Sequence, residues 1–191
     1  MSAPDPRTVT ELLRKYSPAD PESGERLFAA IYPELRRLAR ALMRRERPGH
    51  TLQPTELVHD VFLRLVDQTV IASSDRARFL GIAARAMRQV LVDHARRRDA
   101  IKRGRGVERV TFDEALGHGL ADPTEIIALD EALSDFAAHD ARAARVVELK
   151  VFGGLTSQEA ADLLGVSKRT VDGDWALARL WIARHLASGR P

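Results

Sequence analysis

Three clusters of ionisable side chains hold whatever chemistry this 191-residue chain can perform. The first lies in PTELVHDVFLRLVD (54–67), where Glu56, His59, Asp60, Arg64 and Asp67 share the polar side of a helical pattern. Glu56 and Asp60 stand four apart, so a helix brings both carboxylates to one face, with Arg64 continuing the stripe. Acid–base catalysis would need a pocket and a second group to split their pKa values, and the sequence supplies neither. A solvated helix face is the plain alternative. A surface that offers acid to a basic helix of another protein is the preferred reading.

The second cluster is RAMRQVLVDHARRRDAIKRGR, in which Arg85, Arg88, Gln89, Arg96 and Arg97 gather toward the outer face or the end of one helix. Arginine runs often only solubilise, but Gln89 adds a group that can pair with a base edge. Arg76, Arg78 and Phe79 stand at the start of that helix beside the loop 68–75, where a splayed-out base can be stacked or hydrogen-bonded. A nucleic-acid surface follows from the density and the mixture.

The third cluster is TSQEAADLLGVSKRTVDGDWALARL (156–180), which has helix-turn-helix spacing. Thr156 and Glu159 make a capping box, Ala160, Ala161 and Leu164 an apolar stripe, and Gly165 a left-handed stop. Val166 plugs the corner. Ser167 caps a second helix with Val171, Trp175, Ala178 and Ile182 on one side. In DNA-binding versions the second helix enters the major groove. An ordinary helical hairpin in a bundle is the alternative.

The elements that must position these clusters read as helices throughout. Apolar periodicity predicts helices over 8–16, 22–46 (with Pro33 a potential kink), 54–67, 76–102, 123–138 and 140–152, ahead of the 156–180 pair. The break at 48–50 (PGH), the loop 68–75 ending in a Ser or Asp N-cap, and Gly153-Gly154 punctuate them. The expected fold is all-α, with two small helical domains at 8–102 and 123–187. A flexible acidic linker over 103–122 joins them, and residues 1–7 are expected to be disordered.

Charge is segregated along the chain. Residues 1–110 hold 22 Lys/Arg against 14 Asp/Glu, residues 111–140 hold eight acids and no Lys/Arg, and residues 141–191 hold 8 against 5. Basic, acidic, basic suits two polyanion-binding modules joined by a segment that avoids nucleic acid. There is no cysteine, and the six histidines show no H-x-x-x-H or H-E-x-x-H pair, which argues against a metal site. Gly104-x-Gly106 and Gly117-x-Gly119 neither follow a strand nor complete a phosphate-binding motif. No cofactor, enzyme activity or membrane insertion is expected, and the N-terminus lacks signal-peptide order, which reads as cytoplasmic.

Taken in order, RRERPGHTLQPTELVHDVFLRLVD, FLGIAARAMRQVLVDHARRR, VTFDEAL and ARVVELKVFGGLTSQEAADLLGVSKRTVDGDWALARLWI resemble an extracytoplasmic-function (ECF) sigma factor, and more narrowly an "ECF-like" subgroup. The resemblance spans about residues 8–187. It implies that Glu56, His59, Asp60 and Arg64 dock on core RNA polymerase. Arg76, Arg78, Phe79, Arg85, Arg88, Gln89, Arg96 and Arg97 would melt and read the minus-ten strand of promoter DNA. Ser167, Lys168, Arg169, Thr170, Asp174 and Arg179 would read the minus-thirty-five duplex, and the linker would thread toward the polymerase cleft. Regulation in such proteins falls to an anti-sigma protein, or here to a Ser/Thr kinase, with Thr51 and Thr55 the candidate phosphorylation sites at the start of the docking helix.

Two departures stand out. Thr170-Val171-Asp172-Gly173-Asp174-Trp175 replaces an expected TVKRDW, exchanging a basic pair for Asp172 and Gly173 and weakening phosphate contact. Ser73-Ser74 stands where a tryptophan is expected. The competing function is a stand-alone helix-turn-helix regulator that binds duplex DNA as a dimer, for which no heptad seam is present.

Overall fold

A computed structural model describes residues 6–17, 19–43, 52–66, 75–101 and 123–188. Every element among them is an α-helix: α1 Pro6–Lys15, α2 Pro21–Leu42, α3 Pro54–Val66, α4 Arg76–Ile101, α5 Pro123–His139, α6 Ala141–Val151, α7 Ser157–Leu164 and α8 Lys168–Ser188. The all-α expectation therefore holds. The expected linker, the 48–50 break and Ser73-Ser74 lie outside the described residues.

Local chemistry accounts for the helix ends. Asp20 accepts from the Glu22 amide (3.1 Å) ahead of Pro21 at the first position of α2. Asp140 accepts from the Ala143 amide (2.9 Å) to start α6. Asp75 accepts from the Arg78 amide (2.8 Å), so the aspartate is the residue that caps α4. The capping box of α7 is complete, with Thr156 Oγ1 accepting from the Glu159 amide and Glu159 accepting from the Thr156 amide. Gly165 ends α7 at φ 67°, and the Val166 amide reaches back to the Ala161 carbonyl at 3.1 Å. Pro33 sits inside α2, which continues through it.

The apolar stripes converge on a single buried cluster. Helix α4 is its axis, touching α1 and α3 on one side and α5, α6 and α7 on the other. Leu13, Leu35, Leu57, Phe79 and Met87 fill the N-terminal side, and Leu133, Leu149, Val171 and Ile182 the C-terminal side. Each such side chain contributes about 1.5–3 kcal/mol by leaving water. An aromatic stack of Phe136, Trp181 and His185 ties α5 to α8.

The helices on either side of residues 103–122 approach closely because three glycines remove side chains from the seam. A Cβ on Gly81 would lie 3.0 Å from Leu163 and 3.3 Å from Leu149, and one on Gly153 would lie 3.1 Å from the Ala84 methyl. Gly154 needs its glycine twice over: its φ is +63°, and a Cβ there would run into Leu38. No helix among the described residues is long and apolar enough to cross a membrane.

Candidate nucleic-acid interface

Helix α3 offers its acids to solvent. Glu56, His59 and Asp60 are exposed, and Glu56 also accepts from the Gln53 amide (2.8 Å), which steadies the helix start. Arg64 is placed differently from the other three. Its guanidinium donates to Asp93 of α4 at 2.7 Å, so it braces α3 against α4 as well as edging the face. Beside this face Leu63 is 54% exposed, and Tyr16, Phe28, His59 and Phe62 line an apolar groove with it. The groove was not legible in sequence, although Leu63 falls outside the apolar stripe of its helix. Thr55 is exposed in the first turn of α3; Thr51 lies outside the described residues.

Three arginines of α4, Arg76, Arg88 and Arg96, meet acids of the C-terminal helices. Arg76 is clamped by Glu34 of α2 and by Glu159 of α7, the latter at 2.7 Å. Burial works against its charge, but the hydrogen bonds to Glu159 and Glu34 outweigh that and raise its pKa further. Glu159 mirrors this: burial opposes ionisation, while the Thr156 amide and Arg76 hold its carboxyl below the usual range. Arg88 donates to the carboxylate (2.8 Å) and carbonyl (3.0 Å) of Asp130 on α5 and to Ser134 (2.8 Å), with Glu148 of α6 at 3.9 Å. Arg96 reaches the same Asp130 at 3.3 Å. Arg145 of α6 returns the contact by donating to the Gly81 carbonyl at 2.9 Å. Arg85 and Gln89 line the cleft left between these helices. Arg97 and Arg78 are exposed, Arg97 bonding its own helix at the Asp93 carbonyl. Phe79 is a correction: at 1% exposure it is a core residue here, and its ring is not presented to a base.

At the start of α8, Ser167 accepts from the Thr170 amide (3.1 Å) and meets the Thr170 hydroxyl at 2.8 Å. Lys168 and Arg169 are exposed, but Lys168 is held by Asp172 at 2.7 Å. Hydrogen bonds from Lys168 and then Ser157 hold the Asp172 carboxyl below its ordinary value, so the acid stays charged where a base was expected. Arg179 is exposed further along. Asp174 is the second correction. It is buried and accepts both arms of Arg142 (2.7 and 3.0 Å), an internal tie between α6 and α8 rather than an open DNA contact.

The family description "ECF sigma factor" matches residues 6–188, nearly the whole chain. The chain belongs to the ECF sigma factor family. Among curated proteins, none matches it in sequence. As a member this sigma factor has its role in transcription initiation, and membership implies core RNA polymerase and promoter DNA as partners. Sequence reasoning about this sigma factor missed the acids that meet its arginines: Glu34, Asp130, Glu148 and Glu159. Only Glu159 carried a signal, as a capping residue, and that signal was silent about Arg76.

Proposed function

We propose that this sigma factor joins core RNA polymerase through the exposed acids of α3, with Leu63 and its apolar groove adding buried area, and directs promoter recognition and melting. Three exposed polar groups beside an exposed leucine form a mixed surface suited to a basic, amphipathic helix of the partner. Helix α4 supplies the arginines and Gln89 that grip the separated minus-ten strand. Ser167, Lys168, Arg169 and Thr170, with Arg179 further along, contact the minus-thirty-five duplex, with Lys168 muted by Asp172. The protein contributes binding energy and no catalytic group of its own, and works beside polymerase in the cytoplasm. Control is by an anti-sigma protein or by a kinase acting at Thr55 or Thr51, where phosphate would add charge beside a helix N-terminus.

The family match over residues 6–188 carries this reading. Its test mixes the purified protein with core polymerase and a promoter library and maps transcript starts. Starts that appear only with the protein present are expected. Products appearing equally without it would remove the case for promoter selection.

A further inference from the structure

We propose that α8 reads the minus-thirty-five duplex chiefly through thymine methyl groups, with Gly173 admitting the base pairs and Ala176 and Leu177 supplying the apolar contact. This rests on the reading of the start of α8 as the duplex contact. The exposed face of α8 is apolar where major-groove recognition usually relies on bidentate hydrogen bonds. Arg169, Gly173, Ala176, Leu177 and Leu180 are spaced i, i+4, i+7, i+8 and i+11, so they share one side, opposite the buried Val171, Ala178 and Ile182. Leu177 is 51% and Leu180 69% exposed. The polar side chains of the first turns are engaged elsewhere: Lys168 with Asp172, Ser167 with Thr170, and Asp174 with Arg142. The helix contains no Asn or Gln, the side chains that pair bidentately with adenine. What this face offers a base edge, beside Arg169, is hydrocarbon.

In the major groove the C5-methyl of thymine is the apolar feature, and the other bases lack it. A face of methyl groups therefore selects A·T pairs by removing that methyl from water, at positions where it makes no hydrogen bond. Gly173 fits the same account. It lies inside the helix, where glycine is unfavourable, and a Cβ there would meet nothing within 4 Å, so no packing within the protein calls for it. A bare backbone one turn before Leu177 lets the helix sit deeper in the groove, which brings the short Ala176 side chain within reach of a methyl.

The test uses the full chain assembled with core polymerase, on promoters obtained by randomising the minus-thirty-five stretch and selecting for transcription. The selected sequences are expected to hold thymines beside a guanine that Arg169 can contact. Replacing each thymine in turn by deoxyuridine deletes only the methyl. At a contacted position this should weaken holoenzyme binding, read by mobility shift, about fourfold. Leu177→Ala, at an exposed position, should cut that penalty to about twofold. Gly173→Leu should melt at a higher temperature yet bind the promoter about tenfold more weakly, a split that a merely structural glycine would not produce.

Uracil tolerated at every position overturns the proposal, as does an undiminished uracil penalty in Leu177→Ala or full promoter affinity in Gly173→Leu. Loss of core-polymerase capture by Leu177→Ala would assign the exposed leucines to a protein partner and overturn it too. Transcription indifferent to the randomised stretch is a separate result, which would remove α8 from duplex contact and with it the reading beneath the proposal.

Discussion

Helices α3 and α4 pack on one another and carry the two charge clusters most legible in sequence, yet they meet the rest of the protein in opposite ways. The acids of α3 are turned to solvent with an apolar groove beside them. Three arginines of α4, Arg76, Arg88 and Arg96, meet acids from three other helices, while Arg78, Arg85 and Arg97 are exposed. On the proposed function the surface that meets polymerase is open, while part of the surface that meets DNA is already paired with carboxylates. The start of α8 stands between these cases, with Arg169 exposed but Lys168 tied to Asp172.

The largest effect should come from the open face. Glu56→Lys with Asp60→Lys places like charge against a basic partner and is expected to weaken core-polymerase binding about a hundredfold. DNA affinity of the free chain should change far less. A pull-down with core enzyme decides this, and undiminished capture would break the comparison by removing α3 from docking.

Next is the seam between the N-terminal and C-terminal helices, where Gly154 meets Leu38 of α2. Gly154→Ala meets both an unfavourable φ and the Leu38 side chain, and should destabilise the protein by about 1–3 kcal/mol, read as a lower melting temperature. Adding Leu38→Ala should recover part of that loss, since the clash is specific to that side chain. No recovery in the double variant would mean that the seam is not set by this contact.

A smaller change is expected at α8. Asp172→Lys releases Lys168 and adds a second cation, so promoter affinity should rise. The slope of log affinity against log salt should steepen by about 1 to 2. An identical slope would place the start of α8 away from phosphate.

The smallest effect is in pH. The Glu159 carboxyl is held below its usual pKa, so its pairing stabilises the protein above the unfolded-state value and is lost as pH falls through the depressed folded value. Glu159→Gln can still close the capping box but cannot pair as an anion with Arg76. Its melting temperature should therefore fall less steeply on acidification than that of the wild type. Parallel curves would show that Arg76 gains nothing from Glu159 across the seam.

Much of this was readable without coordinates. The ends of α4, α6 and α7 were legible because caps and left-handed glycines are local: Asp75, Asp140, the Thr156–Glu159 box and Gly165 act within four residues of themselves. The site was read less well. Phe79 was read as a DNA contact, but it falls on the apolar stripe of α4 and is buried in the core. Asp174 looked like part of a reading helix because nothing nearby in sequence announces Arg142, 32 residues away. Arg64 continued the stripe of α3 but spends its charge on Asp93 of the neighbouring helix.

The chain's own order of residues determined that it would be helical, where most helices begin and end, and which family it joins. Those properties follow from periodicity, capping and motif order, which depend on neighbours a few positions apart. Which charges stand in water and which are already matched was decided only when α5, α6 and α7 came against α4. An arginine looks the same in sequence whether it awaits a phosphate or holds a carboxylate, and the partner that settles the matter arrives from 42 residues away at Asp130 and 83 at Glu159.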